Sequence, residues 1–323
     1  MIQPSFFIVG APKCGTTALC KYLNRHPDIF IPESKELHYF DTDLNTKKQA
    51  TSLPDYLALF ETGAGSVCGE GSPTYLYSRT AAEEIYAFNP QAKIIIMLRE
   101  PVAMMYAFHS QHLYNGSSET VPDFATALAL EADRKLGLHI PPRCTEPQIL
   151  FYREFAKFSG QVERYLKHFG CDQIQIVLFD DFTKNTEKVF RETLEFLDLD
   201  PDFETDLQPI NSNKKVRNTH LQSFIKYPPK RMLELGKYLL PIPQTWRRAL
   251  LENTKSYLKQ LNTQKATRSP LDGALKAELI EEFTPEIQRL EHLIGRDLSH
   301  WYRSDNSHTY KDSARSSIHQ QGR

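Results

Sequence analysis

Short runs of consecutive apolar residues punctuate this chain, and between them lie stretches with apolar positions three and four apart. Ser5–Val9 (SFFIV) is the first run, closed by Gly10, and its length predicts a strand buried on both faces. Gly15-Thr16-Thr17 then opens a segment with Leu19, Tyr22 and Leu23 at helical spacing, which ends near His26-Pro27. Lys93–Leu98 (KIIIML) and Gln173–Phe179 (QIQIVLF) predict two further strands, and Val67–Gly69 a shorter one. Helices are expected over 80–88, 104–113, 120–136, 150–169 and 186–197, with a proline-containing loop over 137–147. Strands alternating with helices predict an α/β fold, a central and mainly parallel sheet flanked by helices. Beyond Asp200 the pattern changes. Residues 200–218 are polar and read as loop. Residues 221–303 read as a mostly helical C-terminal elaboration, interrupted at Pro228-Pro229, Pro241-Ile242-Pro243 and Ser269-Pro270. One domain over 1–303 and a polar, frayed tail over 304–323 are expected.

Composition alters this picture little but excludes some functions. The 323 residues carry 39 Lys+Arg against 40 Asp+Glu, a formal net charge of -1. The basic balance of a nucleic-acid binder is missing, although a local basic site is compatible with these numbers. No stretch reaches about 18 uncharged apolar residues, so no membrane span is expected. The N-terminus has no basic segment followed by a long apolar run, so no signal peptide is expected. Cys14, Cys20, Cys68, Cys144 and Cys171 form neither a zinc spacing nor a staple framework; reduced thiols in a cytoplasmic protein are the simpler reading. No Asp/Glu/His cluster has clear ligand spacing, so no metal is expected.

The strongest chemical signal is Gly10-Ala11-Pro12-Lys13-Cys14-Gly15-Thr16-Thr17, between the first strand and the first helix. Glycines let backbone approach a phosphate closely, and a helix N-terminus offers unpaired N–H groups and a favourable dipole. The nucleotide-triphosphatase pattern GxxxxGK[ST] shares the spacing of Gly10 and Gly15. However, Thr16 stands where its lysine belongs, and the lysine lies inside the loop at position 13. That arrangement suits a single phosphate better than an ATP–Mg²⁺ site.

The run FFIVGAPKCGTTAL, followed by HPDIF, closely resembles the phosphosulfate-binding loop of sulfotransferases that use the donor PAPS. It is most similar to the branch that contains the heparan-sulfate sulfotransferases and their bacterial relatives. The resemblance implies a P-loop-like sulfotransferase fold and direct in-line transfer of a sulfuryl group from PAPS to a hydroxyl or amine acceptor, leaving PAP. It also implies that Lys13, Cys14, Gly15, Thr16 and Thr17 hold the 5′ end of the donor. Lys13 would then neutralise charge on the departing oxygen.

Lys35-Glu36-Leu37-His38-Tyr39-Phe40 resembles the family's KE-x-H-[FY]-F stretch, whose glutamate is taken as the base. If this segment is extended, Glu36 and His38 share a face, a credible acid–base pair for removing the acceptor proton. Glu36 is the expected base, and His38 a reserve base or an orienter. A solvated surface acid and an ordinary histidine are the alternatives. Gly69–Leu76 resembles GE-x-[ST]-P-x-Y-L and would place Glu70, Ser72 and Thr74 near the acceptor. A capping turn reads equally well. Arg99, at the end of a strand, resembles the arginine of LR-x-PV that binds the donor's 3′-phosphate. The family's serine eight residues later is Ala107 here, and Ser110, one turn on, would compensate. In 211–218 the resemblance implies a loop closing over the nucleotide, with Lys214, Lys215 and Arg217 as candidates. Two other readings stay open, a P-loop kinase of a small molecule and a degenerate protein that binds PAP or PAPS without catalysis. The acceptor is open too, either a carbohydrate or a small metabolite.

Overall fold

The computed structural model describes every residue except 1, 35, 64, 117, 209, 211–213, 217–253, 255–256, 259–260, 266–267 and 304–323. The chain forms two compact units, Met1–Leu271 and Asp272–Arg323.

The first unit is built on a parallel sheet. Its strands are β1 (Phe6–Gly10), β2 (Ile29–Phe30), β3 (Val67–Gly71), β4 (Lys93–Leu98) and β5 (Ile174–Leu178), in the order β2-β3-β1-β4-β5. Phe6–Val9 and Ile94–Leu98 are fully buried, as continuous apolar runs require in a sheet covered on both faces. β1 lies between β3 and β4, so the chain leaves it toward one edge and later returns on its other side. Ligands of open α/β sheets bind at such a switch point, beyond the carboxyl ends of the strands. Close approach has shaped the sequence here. A Cβ at Gly69 would lie 2.0 Å from the Phe6 ring, and one at Gly10 would lie 2.5 Å from Leu76 Cβ.

The helices are α1 (Thr16–Leu23), α2 (Leu53–Ala58), α3 (Ala81–Phe88), α4 (Pro101–Asn115), α5 (Phe124–Ala129), α6 (Glu131–Lys135), α7 (Tyr152–Ala156), α8 (Phe158–His168), α9 (Phe179–Lys184) and α10 (Thr186–Phe196). The expected helix over 120–136 is two short ones, α5 and α6. The one over 150–169 breaks at Lys157, whose ψ of 74 is not helical. Glu100 caps α4, accepting from the amides of Val102 and Ala103 at 2.7 Å each. Three elements before residue 200 were not expected: β2 is only two residues long, α2 begins at a Ser52 cap, and α9 follows β5 directly. Residues 200–218 and 221–303 also hold a short antiparallel pair, β6 (Lys214–Val216) with β7 (Thr263–Lys265). The interruptions expected at 228–229 and 241–243 lie outside the described residues.

In the second unit, α11 (Gly273–Ile294) starts at an Asp272 cap and ends at Gly295, whose φ of 63 suits glycine. Among the described residues no helix is long and apolar enough to cross a membrane.

Candidate active site

Two groups of side chains meet the carboxyl end of the sheet. The first is cationic. The backbone turns from β1 into α1 through Lys13 and Gly15, at φ 64 and 95. At Gly15 a side chain would strain the backbone and crowd the Phe182 ring, 3.1 Å from an added Cβ. The first turn of α1 carries no acidic residue, so its amides and dipole favour an anion. The ammonium of Lys13 donates to Gln111 Oε1 of α4 at 2.8 Å. Arg99 follows β4, lies over the Phe179 ring at 4.6 Å and donates to the Lys13 carbonyl at 3.4 Å. Burial pushes the Lys13 ammonium below the ordinary lysine range, and the positive charges of Arg268 and Arg99 push it further. Burial and the charge of Arg99 likewise lower Arg268. Arg268 lies over the Tyr106 ring at 5.4 Å, and the Tyr106 hydroxyl donates to the Ser269 carbonyl at 3.1 Å. Arg99 disfavours the charge of both Lys13 and Arg268, and Arg268 that of Lys13, so cations gathered beside an anion-seeking helix end favour a multiply charged anion.

Gln111 and Arg268 were not singled out from sequence. Arg268 sits next to Ser269-Pro270, which reads only as a helix interruption. Cys14 does not offer a thiolate: it is fully buried, burial pushes its thiol up to about 12, and its amide donates to the Ala11 carbonyl. Thr16 is buried and Thr17 half-buried. Ser110, expected to compensate for Ala107, gives its proton to the Tyr106 carbonyl at 2.8 Å within α4. Ala107 is buried. Lys214 and Lys215 lie in β6, and Arg217 lies outside the described residues.

The second group is acidic and hydroxylic. The segment 36–41 is not extended. Glu36 and His38 take left-handed φ values of 64 and 53, costly for residues with a side chain. Glu36 is exposed, and its charge acts on both Lys13 and His38. His38 Nδ1 lies 2.8 Å from Asp41 Oδ2 and 3.1 Å from Thr74 Oγ1, and Thr74 donates to the same carboxylate oxygen at 2.9 Å. Thr46 donates to the other oxygen at 2.9 Å. Burial opposes a charge on His38, but the hydrogen bond and charge of Asp41, with Glu36 and Glu146 behind, outweigh it and raise the imidazole above its ordinary value. Burial raises Glu146 as well. Asp41 and Glu146 are the acidic partners that inspection of the sequence missed. Asp41's one signal was its place three residues after His38.

Glu70 and Ser72, expected near the acceptor, are buried rather than presented at the surface. Glu70 is 1% exposed and Ser72 0%. Glu70 accepts from the hydroxyls of Tyr56, Tyr75 and Ser72 at 2.5, 2.6 and 2.7 Å. Thr74, by contrast, is half-buried and bonded beside His38. Among the described residues no group of three or more His, Cys, Asp or Glu side chains could hold a metal ion.

A parallel α/β sheet thus carries a glycine loop, a cluster of cations and an acid-and-imidazole cluster, and comparison with known proteins assigns the family. The sulfotransferase domain matches residues 3–239, and the chain belongs to that family. It is 28% identical over 207 residues to mouse heparan sulfate glucosamine 3-O-sulfotransferase 5, covering 61% of this chain and 54% of the relative. It is 28% identical over 213 residues to the Caenorhabditis briggsae bifunctional heparan sulfate N-deacetylase/N-sulfotransferase 1, covering 62% of this chain and 23% of that protein. Thus the chain spans about half the length of the first relative and less of the second. The crystal structure of a sulfotransferase from Alicyclobacillus acidocaldarius superposes with a TM-score of 0.67 at 29% identity, covering 94% of this chain and all of that one. The P-loop-like sulfotransferase fold expected from the loop is the fold observed.

Proposed function

We propose that this protein transfers a sulfuryl group from PAPS to a hydroxyl or amine acceptor. Family membership supports the reaction class and removes the kinase reading. The single observation that carries the donor is the cationic seat, Lys13, Arg99 and Arg268 gathered at the glycine loop and the start of α1. A donor with a 5′-phosphosulfate and a separate 3′-phosphate matches a seat with spread positive charge. Lys13, Thr16, Thr17 and the first turn of α1 hold its 5′ end; Arg99, with Arg268, holds the 3′-phosphate. Bound there, PAPS supplies the sulfuryl group. Lys13 keeps positive charge beside the oxygen that gains negative charge, and the fixed donors need no reorganisation as it does so.

The acceptor approaches from the opposite side, past Glu36, His38 and Thr74. Glu36 takes the acceptor proton, and the His38–Asp41 pair orients the acceptor oxygen or nitrogen. The imidazole as base is a second reading, favoured by its 2.8 Å contact with Asp41. The mouse relative is named for glucosamine in heparan sulfate and the Caenorhabditis briggsae relative for heparan sulfate, which makes a carbohydrate the first acceptor class to try. Calorimetric titration with PAP, followed by assay of labelled PAPS against a panel of sugars, amines and phenols, tests the proposal. PAP binding without transfer to any member would leave the chain a donor-binding protein without catalysis. Absence of PAP binding would remove the proposal.

A further inference from the structure

We infer that Glu70 is a positioning residue, a buried carboxylate that fixes, through the Ser72 and Tyr75 hydroxyls, the loop carrying Glu36 and His38. The inference rests on the reading that this loop serves the acceptor. It begins from an anomaly: β3 carries a carboxylate into the centre of the sheet, in register with Phe7 of β1. A buried carboxylate is costly unless its oxygens receive hydrogen bonds. Burial raises Glu70 above the ordinary carboxylate range, while hydrogen bonds from Tyr56, Tyr75 and Ser72 pull the other way.

Two of those hydroxyls lead to one place. Ser72 Oγ accepts from the His38 amide at 3.3 Å. The Tyr75 hydroxyl oxygen accepts from the amides of Tyr39 and Phe40, at 2.8 and 3.2 Å. Both hydroxyls spend their single proton on Glu70 Oε1. A carboxylate only accepts, so it sets the direction of both relays: protons point in to Glu70 and lone pairs point out to the loop amides. Three consecutive backbone N–H groups are thereby held in a segment whose Glu36 and His38 are left-handed. The third hydroxyl, from Tyr56, reaches Oε2 instead, and among the described residues no amide of the 36–41 loop donates to it. Its ring stacks on Tyr39, with centroids 4.4 Å apart, and packs edge-on against Phe40 at 5.4 Å, contacts that do not need the hydroxyl. The amide of Leu76, beyond Tyr75, donates to the Val9 carbonyl at 2.7 Å, so the same sheet end carries both this brace and the glycine loop.

The test compares two hydroxyl deletions on one carboxylate. Tyr75→Phe breaks the relay to the loop, whereas Tyr56→Phe removes an equivalent donor and keeps the ring stack. Ser72→Ala breaks the other relay alone and serves if Tyr75→Phe does not fold. Hydrogen exchange over 37–41, titration of the His38 ring by NMR and calorimetry with PAP are measured on each full-length protein. Tyr75→Phe and Ser72→Ala should speed exchange in this segment about tenfold or more relative to Tyr56→Phe. They should also lower the His38 titration toward the ordinary histidine value, since Asp41, Glu36 and Glu146 would no longer face the ring at fixed distances. PAP affinity should stay within about twofold, because a loop amide lost on the acceptor side removes no phosphate contact. Equal exchange in all three variants, or a His38 titration that does not move, overturns the inference. If the wild-type protein does not bind PAP, the functional reading fails, and exchange and His38 alone still judge the brace.

Discussion

The proposed donor side and the proposed acceptor side of this site are built from opposite materials. The donor side uses cations and backbone: Lys13, Arg99, Arg268 and the start of α1. The acceptor side uses carboxylates and hydroxyls: Glu36, Asp41 and Glu146 about His38, with Glu70, Ser72, Thr74 and Tyr75 behind. A polyanionic donor needs charge spread over several positions. Removing a proton from a neutral hydroxyl or amine needs a base held at one place. The first demand is met by charge number and the second by geometry, so substitutions on the two sides should fail in different ways.

The largest expected loss comes from Lys13→Ala, which should lower the transfer rate by about 10²- to 10³-fold, the scale of a lost transition-state donor. Single-turnover assays with labelled PAPS would measure it. Glu36→Gln should cost about 10²-fold in rate and leave PAP affinity nearly unchanged, dividing the two sides cleanly. A parallel fall in PAP affinity would blur the division. The pH profile of the same assay assigns the base. Imidazolium cannot accept a proton, so if His38 is the base the rate climbs as pH rises through a value above the ordinary histidine range. With Glu36 as base, no such climb is expected there.

Gly15→Ala should come next, destabilising the fold by about 1–3 kcal/mol because an L side chain at φ 95 is strained and meets Phe182. Thermal unfolding would read this, and PAP should bind more weakly as well. PAP affinity should also decline as pH rises through the Lys13 pKa, because only the ammonium attracts phosphate. Since burial and two arginines lower that pKa, the decline begins below the usual lysine range. Calorimetry across pH would follow it, and Lys13→Ala should flatten the curve. The smallest effect belongs to Ser110→Ala. That hydroxyl is spent inside α4, so stability should change by no more than about 0.5 kcal/mol and PAP affinity hardly at all.

The donor side was legible in the sequence because its elements are local and regular. Phe6–Val9 and Ile94–Leu98 are continuous apolar runs, and continuous runs announce buried parallel strands. Gly10 and Gly15 announce the turn between strand and helix. Arg268 escaped because its partners, Lys13 and Arg99, lie far away in sequence. Lys157 escaped because a break at a lysine, unlike one at proline, carries no local signal. The acceptor side was largely hidden for a deeper reason. Alternation places Glu36 and His38 on one face only if the segment is extended, and nothing local warns of left-handed backbone at either residue. Glu70 was expected near the acceptor from the resemblance of Gly69–Leu76, and no local pattern marks it as buried. Its burial depends on three hydroxyls, Tyr56 from α2 and Ser72 and Tyr75 from its own loop.

The most direct test of the cationic seat is calorimetric titration of PAP into the wild-type protein and into Arg99→Ala and Arg268→Ala, with ATP–Mg²⁺ as competitor. The account predicts that wild type binds PAP, that each substitution weakens binding by about tenfold or more, and that ATP–Mg²⁺ competes poorly. Undetectable PAP binding, or equal displacement by ATP–Mg²⁺, would contradict it.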